Sequence, residues 1–263
     1  MCYDLSFISG MFSVFNYFSN LVVEDEFTIN NESTAHIVGH AYGEQPIIYY
    51  NPQTHKQHLK LMEWGCIPFY TKDEKAFLRQ RASMLNARSE RILGDEKSYW
   101  YKIRNRGCLI PVSGIYEHRS IPKWTRKVPY FIHIKNEPVF FLPGLYSVAE
   151  LPDQETGELV KRFTFTLITR SANSLMQQIH NDGVNKWRMP LFLPLNLAKE
   201  WIQPELSTEQ IQSLLNYELP SEELSCWPVY TIRSAKERPD GKAKNETYYW
   251  DNLPDLNIGL LGF

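Results

Sequence analysis

The middle of the chain is a succession of short apolar and aromatic runs, each closed by Gly, Pro or Asn. CLIPVSGIYEH (108–118), PYFIHI (129–134) and PVFFLPGLY (138–146) follow one another at close spacing. Runs of this length and aromatic content suit strands, and their punctuation suits turns. KNEP (135–138) reads as a hairpin connection between the last two. RFTFTLIT (162–169) alternates strictly enough for a half-buried strand, and PIIYY (46–50) and CWPVYTI (226–232) are further strand candidates. Helices are fewer. Met11, Val14, Phe15, Phe18, Leu21 and Val22 recur at helical spacing, and ANSLMQQIH (172–180) suits a second helix. STEQIQSLLNY (207–217) opens with Ser207 and Gln210 in capping-box spacing. A polar turn is expected at Asn30–Thr34, and KERPDGKAKNE (236–246) reads as a solvated loop. No linker divides the chain. The expected fold is one α+β domain over 1–263, an antiparallel β-rich core with flanking helices.

Composition narrows the class. Of 263 residues, 43% are apolar and 22% charged, which favours a folded core over disorder. The four cysteines, Cys2, Cys66, Cys108 and Cys226, have neither disulfide-framework nor zinc-site spacing. No metal or cofactor is therefore expected, and a reducing, cytoplasmic home is. Asp4, Asn16, Ser19 and Asn20 interrupt the apolar start, so neither an export signal nor a membrane span is read there. A net charge of −2 does not advertise a nucleic-acid binder. Basic residues nevertheless crowd residues 72–127, among them Arg88 and Lys97, enough for a local basic groove.

Cys2 follows the initiator methionine directly. With Met1 removed, residue 2 carries an α-amine and a thiol on adjacent carbons. Such a 1,2-aminothiol condenses with an aldehyde through nitrogen and traps the product through sulfur. Four further segments hold polar residues in apolar company: Asn86 and Arg88 in SMLNARSE, Glu117 in PVSGIYEH, Thr169 in TLITRSANS and His180 in QIHNDG. Singly, each has an ordinary structural explanation as a cap, a solvated cation, an ion-pair partner or a helix-end histidine.

Taken jointly, the N-terminal MC, MEWGCIPF (62–69), LNARSE (85–90), CLIPVSGIYEH (108–118) and IHNDGVNKWRMPLFL (179–193) resemble the SOS-response-associated peptidase family, over roughly residues 1–193. The resemblance implies a monomeric DNA-repair protein that senses abasic sites in single-stranded DNA. It implies a thiazolidine crosslink through Cys2 after autoproteolytic loss of Met1, with weak AP-lyase activity through the Schiff base. On this reading Asn86 orients the Cys2 amine or sulfur, Glu117 relays protons and His180 acts on the sugar ring oxygen. Arg88 holds a phosphate, Thr169 adds a phosphate or sugar contact, and Phe69 and Tyr70 offer stacking surfaces beside the basic segment containing Lys97. Two competing functions stand beside it: an N-terminal-nucleophile cysteine hydrolase served by the same Asn, Glu and His, and a non-catalytic single-strand-binding module in which Cys2 is inert.

The chain departs from the family pattern at three places. MCYD stands where MCGR is common, Tyr42 where a proline is common, and His118 where a tryptophan follows the glutamate. Asp4 is expected to repel a phosphate.

Overall fold

The computed structural model describes residues 2–24, 34–153, 155–234 and 237–257. The turn expected at Asn30–Thr34 lies outside them up to residue 33, as does Met1. The strands are β1 (Asp4–Phe7), β2 (Val22–Val23), β3 (Thr34–Val38), β4 (Glu44–Asn51), β5 (Lys56–Trp64), β6 (Asn86–Arg88) and β7 (Gly107–Val112). They continue with β8 (Gly114–Arg119), β9 (Val128–Ile134), β10 (Phe140–Pro152), β11 (Leu159–Ser171), β12 (Arg188–Pro190) and β13 (Leu224–Pro228). Short helices interrupt them: α1 (Phe12–Phe15), α2 (Glu74–Arg81), α3 (Glu90–Leu93), α4 (Tyr99–Lys102), α5 (Ser174–Ile179), α6 (Leu195–Trp201) and α7 (Thr208–Asn216).

Two sheets result. One runs β13-β9-β8-β1-β3 and is antiparallel throughout. The other runs β12-β11-β10-β7-β4-β5-β2, and β11 also pairs in parallel with the end of β5, which closes β11, β10, β7, β4 and β5 into a ring. A continuous apolar cluster draws on both sheets, from Leu5 and Ile115 to Leu109, Leu142 and Phe165. Among the described residues, no helix is long and apolar enough to cross a membrane.

Ser113 is the joint between the sheets. CLIPVSGIYEH makes two strands, β7 in one sheet and β8 in the other, and the Ser113 hydroxyl accepts hydrogen bonds from the backbone of Ile8 and Ser9 at the bend. Gly114 permits the close packing beyond it: an added Cβ would stand 2.1 Å from Cζ of Phe131. The same division corrects the expected hairpin at 135–138. β9 belongs to the first sheet and β10 to the second, so the connection passes between sheets rather than pairing its flanks.

The helix expected over 11–22 shrinks to one turn. Its N-terminus has no side-chain cap and no acidic residue in the first turn. Phe18 instead packs edge-on against Phe141, with ring centroids 4.9 Å apart. Burial of aromatic surface decides the outcome where aromatic helix propensity is weak. Conversely, α7 forms with both hydrogen bonds of its capping box, between Ser207 and Gln210. The 226–232 strand ends at Pro228. The loop beyond, expected to be solvated, is organised by Arg238, whose side chain is buried and donates to Asp240 and to the carbonyls of Ala243, Glu246 and Thr247.

Gly114→Ala should lower unfolding free energy by about 1–3 kcal/mol, the usual cost of overpacking, as measured by denaturant titration. An unchanged midpoint would mean that Phe131 yields without cost.

Candidate active site

Cys2 lies just ahead of β1, an interior strand of its sheet, and is fully buried. Its thiol donates weakly to the carbonyl of Asp4 at 3.6 Å. Asn86 donates from Nδ2 to the Cys2 carbonyl at 3.0 Å, joining residues 84 apart in sequence. The motifs around Asn86 form the frame that holds it. Trp64 donates from its indole to Leu85 O at 2.9 Å and stacks on Phe165. Cys66 N reaches Met84 O, and Leu167 N reaches Leu85 O. Gly65 turns the chain at φ +108°, where a Cβ would meet the Tyr42 ring at 2.9 Å. The WG segment is thus structural, and β6 pairs Asn86 with Leu167 of β11.

Glu117 comes from β8 and His180 from the C-terminal end of α5; both line a cleft of about 380 Å³ with Tyr3, Asp4, His118 and Arg233. Burial moves the two acids and bases in opposite directions. It pushes the Glu117 carboxyl up to about 8 and the His180 imidazole down to about 4. At neutral pH Glu117 is mostly protonated and His180 neutral. The His180 Nδ1 proton is assigned to the Arg188 carbonyl, 2.8 Å away, which leaves Nε2 as the basic nitrogen. Burial, and then the negative charge that Glu117 can carry, raise the Cys2 thiol well above its ordinary range. Oδ1 of Asn86 and Oε1 of Glu117 are buried without a hydrogen-bond partner. Asn86 and Glu117 each contact Cys2, and each keeps one acceptor open to a further donor.

Of the four expected catalytic residues, Asn86 and Glu117 contact Cys2, and His180 lines the cleft that Glu117 also lines. Arg88 is exposed at the rim, donating to Asn185 of the cleft wall at 3.0 Å. Thr169 is fully buried, its hydroxyl directed to the Ala87 carbonyl, and its side chain is out of reach of a phosphate. Phe69 and Tyr70 are about half exposed, with Arg106 and Lys102 over their rings, and do not line the cleft. Lys97 is exposed in the turn before α4. Asp4 overturns its expectation, being buried and paired with His36 and Arg233 rather than offered to a ligand. Sequence reading missed two partners. Glu90 of LNARSE forks Arg188 of the RMP segment at 2.5 and 2.9 Å, and Arg233, far along the chain, enters the cleft.

The family model for SOS response associated peptidase (SRAP) matches residues 16–232. The chain belongs to the SRAP family. Among similar SRAP relatives is abasic site processing protein YoqW of Bacillus subtilis, 30% identical over 210 residues, covering 78% of this chain and 85% of that one. Abasic site processing protein YMR114C of Saccharomyces cerevisiae is 28% identical over 197 residues, 72% of this chain and 48% of the yeast protein. A crystal structure of a Bacteroides thetaiotaomicron protein superposes with a TM-score of 0.75 at 27% identity, covering 93% and 97% of the two chains.

The Glu117 shift gives this SRAP chain a pH signature. Its folded pKa, about 8, stands above the ordinary 4.5, so the folded state binds the proton more tightly. The stability this supplies is full below about pH 4.5 and is lost as pH rises through about 8. Wild type should therefore lose stability relative to Glu117→Gln across that window, by up to about 1.4 kcal/mol per pH unit. Denaturant titrations of both proteins at pH 5, 6.5 and 8 check this, and parallel curves would place the Glu117 pKa near its ordinary value.

Proposed function

We propose that the protein is an abasic-site sensor of single-stranded DNA, which forms a thiazolidine with the ring-opened sugar through Cys2 once Met1 has been removed. The observation that carries this reading is the convergence of Asn86 and Glu117, each with an orphaned oxygen, on residue 2 of the chain. With Met1 removed, Cys2 offers two nucleophiles to that arrangement, an amine and a thiol.

The protonation states supply a balanced sequence. The α-amine adds to the sugar aldehyde, giving a carbinolamine. Protonated Glu117 gives its proton to the departing hydroxyl, which leaves as water, and an iminium remains. Glu117, now a carboxylate, takes the thiol proton as sulfur bonds to the iminium carbon and closes the ring. The high thiol pKa means that sulfur needs this base rather than attacking as a preformed thiolate. Neutral His180 suits taking the C1 hydroxyl proton on Nε2 as the ring C–O bond breaks, the imidazolium then giving that proton to the released ring oxygen; the same shuttle run in reverse favours resolution of the adduct. None of these steps calls on a metal or cofactor. A cysteine hydrolase would call on Glu117 as the base at sulfur in the same way, so the thiol pKa alone does not separate the two readings.

Protein beginning at Cys2 should give a denaturation-resistant product with an abasic oligonucleotide, and homogeneous protein retaining Met1 should not. Cys2→Ser should lose the stable product while keeping a borohydride-trapped Schiff base. Glu117→Gln should slow adduct formation about 10²–10⁴-fold. Stable adduct from Cys2→Ser at wild-type yield would remove sulfur as the trapping atom.

A further inference from the structure

The cleft contains a built cationic anchor that no family motif in the sequence announces. Asp4 is 3% exposed, two residues beyond the reactive cysteine. Burial alone would raise its carboxyl, yet hydrogen bonds from His36 and Arg233 hold it below the ordinary range. Arg233 forks it side-on, Nε to Oδ1 at 3.0 Å and Nη2 to Oδ2 at 2.7 Å. The two ends of this pair differ in exposure: the Arg233 side chain is 49% exposed and the Asp4 side chain 4%. One edge of the guanidinium is thus sunk onto the carboxylate while the residue lines the cleft beside Glu117 and His180.

A guanidinium has five N–H donors, and the fork uses two of them. Both protons on Nη1 and one on Nη2 remain, which is the end-on edge that matches two oxygens of a phosphate. The backbone beneath is also fixed. Lys244 donates to Ile232 O at 3.3 Å, and Val229 N reaches Pro129 O at 2.9 Å. Arg238 ties down the loop that carries Lys244. Lys127, another cation of the cleft wall, is paired with Asp182 at 3.0 Å.

We propose that Arg233 binds a backbone phosphate of the DNA strand next to the abasic nucleotide, and that Asp4 is a positioning residue that presents it. This rests on the reading that the cleft receives single-stranded abasic DNA. Asp4 then has the opposite effect from simple repulsion: it costs one negative charge but orients a guanidinium at the site of attack.

The test uses protein beginning at Cys2, with binding to intact single-stranded oligonucleotide measured across salt and adduct formation measured separately at saturating abasic DNA. Arg233→Gln should weaken binding about tenfold and flatten the log–log salt slope by about 0.7, the value of one phosphate on a single strand. Asp4→Asn makes the protein more positive, so electrostatics alone would tighten binding; a positioning role requires it to weaken instead. Arg233→Lys should keep the slope and lose part of the affinity, and serves as the readout where the Gln variant does not melt cooperatively. An unchanged slope in folded Arg233→Gln, or tighter binding by Asp4→Asn, would overturn the proposal. Adduct failure in the wild type with the Arg233 salt signature present would sink the crosslinking reading and leave the anchor standing.

Discussion

Residue 2 is under cover, and most of the architecture follows from that constraint. A chain terminus normally lies at the surface and frays. Here the first strand is interior, with β3 on one side and β8 on the other, and the Asn86 amide closes over the Cys2 carbonyl. Asn86 in turn is held by the ring of the second sheet through β11, Trp64 and Leu85. The N-terminus is thus registered against both sheets, and the Ser113 bend carries the chain from one to the other immediately before Glu117.

One physical cause, desolvation, prepares the acid and the base in opposite senses. A carboxyl and an imidazole in the same cleft wall both lose their charge on burial, so one keeps its proton and the other gives its up. That division needs no ion pair between them. Asp4, which lines the same cleft, escapes neutralisation because His36 and Arg233 hold its charge, and three carboxyl and imidazole environments coexist within one hollow.

Local signals in the sequence were reliable where a segment satisfies itself. The alternation of 162–169 located β11, although residues 164–169 are buried on both faces rather than on one, and Ser207 with Gln210 gave α7. They failed where the partner is distant. The 11–22 periodicity was outbid by Phe141, and the expected hairpin at 135–138 could not be recognised as a passage between sheets, because sheet membership is decided by β7, β8 and β11. The site divides in the same way. Cys2, Asn86, Glu117 and His180 were legible through motif resemblance. Arg233 sits 229 residues from Asp4 with no motif around it, and the burial of Thr169 depends on strands that its own neighbours do not reveal.

β6 is only three residues long, yet its pleat matters. Alternate residues of a strand share a face at about 3.3 Å per residue. Asn86 and Arg88 therefore face the same way roughly 6.6 Å apart, with Ala87 turned into the core between them. The strand is a ruler: it fixes the interval between the grip on Cys2 and the exposed cation at the rim. A side chain can be exchanged at either end without altering that interval, whereas a single inserted residue would turn one of the two marks to the opposite face.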